Sequence, residues 1–269
     1  MVITLVGTVH NDRKCDERIR KIIEYYSPDV VFIEGIENWE DFDKEAAELK
    51  NYFYSKYFEK LPVGLKNEIY KEFEKEIENF KQGPEESAKD IIDNNQEVIY
   101  LDDEKYIHFR LEMLKEQFDM IGEQLLLLSS KKINLDEENY NRASLFYSTF
   151  PQRYPDEFYN LLLCRPTELK QILTKDYKIP EEEIGKCEEI IKEYYRKQEN
   201  LTEFHKYVRG EERDRGWVKK IAEANPENAV SFTGLLHTLP TIENNFYNIL
   251  LKKRYDVESL PLIDADNLQ

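Results

Sequence analysis

The sequence predicts an α/β fold: a small, mostly parallel β-sheet flanked by helices, with a large helical insertion between the third and fourth strands. Three observations predict it. The N-terminus reads as strand, helix, strand, the pattern of a parallel crossover. Short apolar runs recur far apart, at 97–102, 229–234 and 255–262, as buried strands do. Between them, charged stretches carry apolar residues at three-to-four spacing, as helices packed on a sheet do.

The first strand is "ITLVGTVH", in which Ile3, Leu5 and Val6 lead through Gly7 to His10. Asn11 or Asp12 is placed to cap the following helix, whose apolar face is Cys15, Ile19, Ile22, Ile23 and Tyr26. Ser27-Pro28-Asp29 ends that helix, and "VVFIEG" is the second strand, buried and closing on Glu34 and Gly35. Helical spacing then runs through Phe42, Leu49, Phe53, Tyr57 and Phe58, and again through Leu65, Ile69, Phe73, Ile77 and Phe80. These aromatic stripes read as core rather than as a peptide groove. Gly83-Pro84-Glu85 restarts a helix with proline at its first turn, where it is tolerated.

"EVIYLD" is the third strand and delivers Asp102 and Asp103. From 106 to 224 the chain is nearly all helix-patterned, interrupted near Pro151, Pro155, Pro166 and Pro180, and 106–210 is the insertion. "AVSFTG" is the fourth strand, followed by His237, and "YDVESLPL" the fifth. The whole chain, 1–269, reads as a single domain.

Composition bounds the function. With 41% hydrophobic and 13% aromatic residues the chain can bury a substantial core. A net charge of −17 opposes a sequence-independent grip on nucleic acid. Cys15, Cys164 and Cys187 show no paired spacing, so neither a disulfide framework nor a thiolate metal site is predicted. No signal peptide or membrane span is expected, since the longest aliphatic run is Leu125 to Leu128, and the expected location is cytoplasmic. HExxH, GxSxG, Walker A and GxGxxG motifs are absent from the sequence. Self-association into a homo-oligomer is left open.

Both the first and fourth strands end in Gly-x-x-His, giving His10 and His237. Functional groups of open α/β sheets gather at the carboxyl ends of the strands. There His10, His237, Glu34 and the pair Asp102 and Asp103 should share one rim. Two imidazoles with carboxylates form the ligand set of a divalent metal of the N/O type. Gly7 and Gly234 are expected where a side chain would obstruct the turn or the site. In "EERDRGWVKKI", Val218 and Ile221 make one face apolar with Trp217 beside them, which carries Arg213 or Asp214 inward. A buried arginine needs a carboxylate; Glu34 or Glu85 is the expected partner, and an arginine near a metal can also steady an oxyanion. His108 and His205, in charged helical surroundings, are expected to be structural or exposed.

These pieces resemble the TraB/PrgY/TIKI family, within the wider erythromycin-esterase/ChaN-like group. The matching segments, in order, are "LVGTVH" with "SPDVVFIEG", "GPEESAKDIID" leading to "VIYLDD", "ERDRGWVKKI" and "SFTGLLHTLP". The resemblance implies a compact α/β fold with a site built from the two Gly-x-x-His motifs. Its matched motif positions are His10, Glu34, Glu85, Arg213 and His237. It implies a divalent metal cofactor of the manganese or cobalt type, with zinc admitted by the ligand set, and a metal-dependent hydrolase, most simply a peptidase. His10, His237 and Glu34 would hold the ion, Glu34 or Glu85 would accept a proton from water, and Arg213 would stabilise the oxyanion. The alternative is a PrgY-type protein that sequesters a peptide or small ligand without cleaving it; a haem or metal carrier of the ChaN kind is a third reading.

Overall fold

A computed structural model describes residues 1–9, 12, 14–57, 96–103, 105–109, 153–163, 165–179 and 211–268, with positions 60, 77, 88, 91, 92, 111, 112, 115, 119, 181, 184 and 185. Its strands are β1 (Val2–Thr8), β2 (Val30–Ile33), β3 (Glu97–Tyr100), β4 (Asn228–Gly234) and β5 (Asp256–Pro261). They form one sheet in the order β3-β2-β4-β1-β5, and every adjacent pair is parallel. The expected mostly parallel sheet is thus wholly parallel. β1 and β2 share it as the strand-helix-strand pattern requires, but β4 lies between them.

The helices are α1 (Cys15–Tyr26), α2 (Glu40–Tyr57), α3 (Pro155–Leu162), α4 (Leu169–Lys175), α5 (Glu211–Ala224), α6 (Leu235–Thr238) and α7 (Phe246–Lys252), and a 3-10 helix follows at Leu262–Asn267. Strand alternation divides the apolar residues between two layers. Val6, Val31, Ile33, Val230 and Phe232 pack with Cys15, Ile19 and Ile22 of α1 and with Leu262 and Ala265 of the 3-10 helix. On the other face Ile3, Leu5, Val30, Phe32 and Ala229 meet Trp217, Val218 and Ile221 of α5 and Phe246, Ile249 and Leu250 of α7. Burying each such large side chain contributes roughly 1.5–3 kcal/mol, so the sheet is held from both sides.

Phe42, Phe53 and Tyr57 of α2 form a further cluster with Tyr106, Ile107 and Leu111, so this aromatic stripe is core. Between β3 and β4 the described elements are all helical. The rest of the 106–210 insertion, with Cys164, Cys187 and all of the 58–80 stripe except Ile77, lies outside the described residues. Among the described residues no helix is long and apolar enough to cross a membrane.

Local chemistry sets the element ends. Asp12 shapes the entry to α1: its Oδ1 accepts from the Lys14 N–H at 2.9 Å and its carbonyl from the Cys15 N–H at 3.1 Å. Ser27 closes α1 in the left-handed region, φ 43°, returning its N–H to the Ile23 carbonyl. Gly7 is required for space. A Cβ there would fall 2.5 Å from both Leu235 Cδ1 and Thr238 Oγ1, so α6 can lie against β1 only at a glycine.

One buried charge was not legible in the sequence. Arg18 is fully buried on α1, with Nη1 on Asp12 at 2.9 Å, Nη2 on Asp156 at 2.9 Å, and Nε and Nη2 on Asp266 at 3.2 and 2.7 Å. It joins α1, the start of α3 and the C-terminal 3-10 helix. The Tyr159 hydroxyl makes a second tie by accepting the Val9 N–H at 2.8 Å.

Two outcomes are expected. Gly7→Ala should destabilise the fold by about 1–3 kcal/mol through overpacking, measured as a lowered urea midpoint. The hydrogen bond from Arg18 holds the Asp266 carboxyl below its ordinary pKa. A depressed carboxyl contributes stability above its unfolded-state pKa of roughly 3.9 and loses it as the pH falls through the folded value. Acid unfolding of Asp266→Asn should therefore show a shallower dependence on pH below about 4, and an unchanged slope would remove Arg18 from the acid limb.

Candidate functional site

With all strands parallel, the carboxyl ends of β1, β2, β3 and β4 lie along one edge of the sheet. β2 ends at Ile33, and Glu34 and Gly35 follow. Gly35 has φ 128°, a conformation open to glycine, and its N–H donates to Asp102 Oδ2 at 2.9 Å. That bond joins the chain leaving β2 to the chain leaving β3.

Asp102 is buried beyond β3 and saturated. Its Oδ1 accepts from Arg213 Nε at 2.7 Å and from Trp217 Nε1 at 2.9 Å, and its Oδ2 accepts from Arg213 Nη2 at 2.6 Å as well as from Gly35. Such a two-pronged arginine–carboxylate pair fixes orientation as well as charge. Arg213 Nη2 also reaches Glu34 Oε1 at 2.8 Å, and the rings of Tyr106 and Trp217 stand 4.4 and 4.5 Å from the guanidinium. Burial works against the Arg213 charge, but Asp102 and Glu34 outweigh it and drive the pKa far up. Arg213 points inward as the sequence predicts. Its principal partner is Asp102, with Glu34 second, because the helix lays residues 213 and 217 together over the end of β3.

Glu34 sits between this pair and β4. Its Oε1 accepts from Arg213 and its Oε2 from the Gly234 N–H at 2.5 Å. A Cβ at Gly234 would stand in ordinary contact, 3.4 Å from Glu34 Oε2 and 3.6 Å from His237 Cδ2. Space therefore does not require a glycine at 234, contrary to expectation. The same geometry shows Glu34 and the His237 ring flanking one backbone position.

His237 follows β4 on α6. Its Nδ1 lies 2.7 Å from Oδ1 of the fully buried Asp214, and its ring centroid is 4.7 Å from that of Trp217. Were the carboxylate to accept in this pairing, Nδ1 would carry the hydrogen and Nε2 would be the nitrogen not engaged by Asp214. Burial favours the neutral imidazole, yet Asp214, with help from Glu34 against the opposing Arg213, raises the pKa above its ordinary value.

A divalent ion can be tested against these donors. Imidazole and carboxylate are suitable ligands, and an imidazole backed by a carboxylate at its other nitrogen is the usual outer-shell arrangement of a metal-binding histidine. Glu34 and Asp102 both pair with Arg213, while Asp214 backs His237. The backed imidazole fits a cation. Among the described residues no group of three or more His, Cys, Asp and Glu side chains is gathered about one point.

The structure brings Glu34, Arg213 and His237 together; His10 and Glu85 lie outside the described residues. β1 ends at Thr8 in register with Gly234, one strand from the His237 motif. His108 is exposed, 3.9 Å from Glu45, and His205 is outside the described residues. Helical spacing left Arg213 or Asp214 to turn inward, and both do. The hub role of Asp102 and the Tyr106 ring were missed. The signal for Asp102 was its place directly after the third apolar run. Comparison with known family models, with curated proteins and with solved structures returned no match.

Removing Asp102 strands the buried guanidinium. Asp102→Ala should cost about 3–5 kcal/mol, whereas Asp103→Ala, which loses only the exposed bond that its Oδ1 accepts from the Lys105 N–H, should cost about 0.5–2 kcal/mol. Equal urea midpoints for the two variants would show that the Arg213 pair does not hold the site.

Proposed function

We propose that this chain is a metal-dependent hydrolase of the TraB/TIKI type, a peptidase acting at the carboxyl edge of its sheet. One observation carries the reading: His237, tied through Nδ1 to Asp214, leaves Nε2 for a ligand beside the Glu34 carboxylate. His237, Glu34 and, from the sequence motif, His10 would hold the ion, which when bound lowers the pKa of water and polarises a scissile carbonyl. Hydrolysis adds that water across the amide C–N bond, releasing a carboxylic acid and an amine.

The chain's own groups divide the remaining work. Arg213 and the Gly234 N–H fix the position of Glu34 through both of its carboxylate oxygens, which suits a carboxylate that orients toward a cation. Two of the guanidinium nitrogens are spent on Asp102 and Glu34, so Arg213 acts here as a brace rather than as the oxyanion donor the resemblance implies. With Glu34 so engaged, the proton-accepting role falls to Glu85, the other carboxylate matched by the motif. That same engagement supports the second reading, a PrgY-type binder that retains a peptide or small ligand without cleaving it.

The test is melting temperature against Mn²⁺, Co²⁺ and Zn²⁺ for the parent and for alanine variants of His10, His108, His205 and His237. Ion at 100 times its Kd should stabilise the parent by about 2.7 kcal/mol. His10→Ala and His237→Ala should lose that gain while the other two keep it. Equal shifts in all five proteins would mean nonspecific binding to an acidic surface. A peptide-library digest with each ion then separates the two readings: cleavage lost in His237→Ala supports the hydrolase, and retention without cleavage supports the binder.

A further inference from the structure

Two aspartates are buried in this cluster, and they are satisfied very differently. Asp102 receives four hydrogen bonds, from Gly35, Trp217 and twice from Arg213. Asp214 is fully buried on α5, with Oδ1 on His237 Nδ1, while its Oδ2 is buried without a hydrogen-bond partner among the described residues. The described hydrogen bond of Asp214 falls on the imidazole.

An imidazole without such a partner can exchange its hydrogen between the two nitrogens and turn its ring over, and a carboxylate at one nitrogen suppresses both. Trp217 adds to the restraint: its ring packs on His237 while its own Nε1–H is held by Asp102. From these contacts we infer that Asp214 is the positioning residue of the site, fixing His237 with hydrogen on Nδ1 so that Nε2 is the nitrogen presented to a ligand. The functional consequence rests on the metal-site reading above; the ring orientation does not.

The test begins with metal-free parent protein carrying ¹⁵N-labelled histidine, examined by long-range ¹H–¹⁵N spectra at a pH where His237 is neutral. A single species is expected, with a protonated Nδ1 and a bare Nε2. Asp214→Ala should convert it to a mixture of tautomers. Should that variant fail to fold, the parent spectrum still decides, because hydrogen on Nε2 or a mixture in the parent overturns the inference. Calorimetric titration with Zn²⁺ alone then compares the parent with the near-isosteric Asp214→Asn. A loss of about 10- to 100-fold in affinity is expected, and undiminished affinity overturns the positioning role. A parent that shows the expected tautomer but binds no Zn²⁺ upholds the inference while sinking the metal reading.

Discussion

Asp102 collects donors from the chain after β2, from Arg213 and from Trp217, and Arg213 could not be buried without it. The rest of the rim follows from this pair. Arg213, once neutralised, extends Nη2 to Glu34 and so turns that side chain toward β4, where the Gly234 N–H completes its placement. Trp217, anchored at Nε1, is in position to pack on His237. Lys220, a turn further along α5, donates to the carbonyls of Tyr100 and Asp102 and holds the helix to the end of β3. Desolvation makes a buried pair of this kind a poor source of net stability. Its value lies in geometry, since a planar fork and a carboxylate admit few relative orientations.

The three central strands, β1, β2 and β4, were legible because they are buried on both faces. Runs such as Val30 to Ile33 and Ala229 to Phe232 therefore stand out from charged surroundings. The place of β4 between β1 and β2 was not legible, since periodicity carries no information about neighbours. For the site, strand ends pointed to Glu34, Asp102 and His237, and helical spacing pointed to Arg213 and Asp214. Pairing was harder to read. Which of several acids meets a buried arginine depends on distances of a few ångströms, and those are set by how α5 crosses the end of β3. Arg18 shows the same difficulty: on α1 it resembles any solvated arginine, and its three partners, Asp12, Asp156 and Asp266, are scattered along the chain.

Arg18 and Arg213 play parallel parts in the two helical layers. Arg18 belongs to α1, whose layer packs Val6 and Val31, and it draws α3 and the C-terminal 3-10 helix together. Arg213 belongs to α5, whose layer packs Ile3 and Phe32, and it joins the ends of β2 and β3. Each lets a segment remote in sequence be held by charge. The difference is in what lies beside them. Next to Arg213 the same helix buries Asp214, which has the His237 imidazole for its described partner.

The strand order has a consequence for how the chain is assembled. β2 can pair with β3 once residue 100 has been made, but β1 pairs only with β4 and β5. During vectorial synthesis the first strand must therefore wait, both edges unpaired, until residues 228–234 emerge more than two hundred positions later. Contacts of such long sequence separation close slowly and leave exposed edges open to misassembly. The last strands to be translated insert on both sides of the first, so a ribosome-bound chain halted anywhere in the helical insertion would carry β1 with its sheet partners still missing.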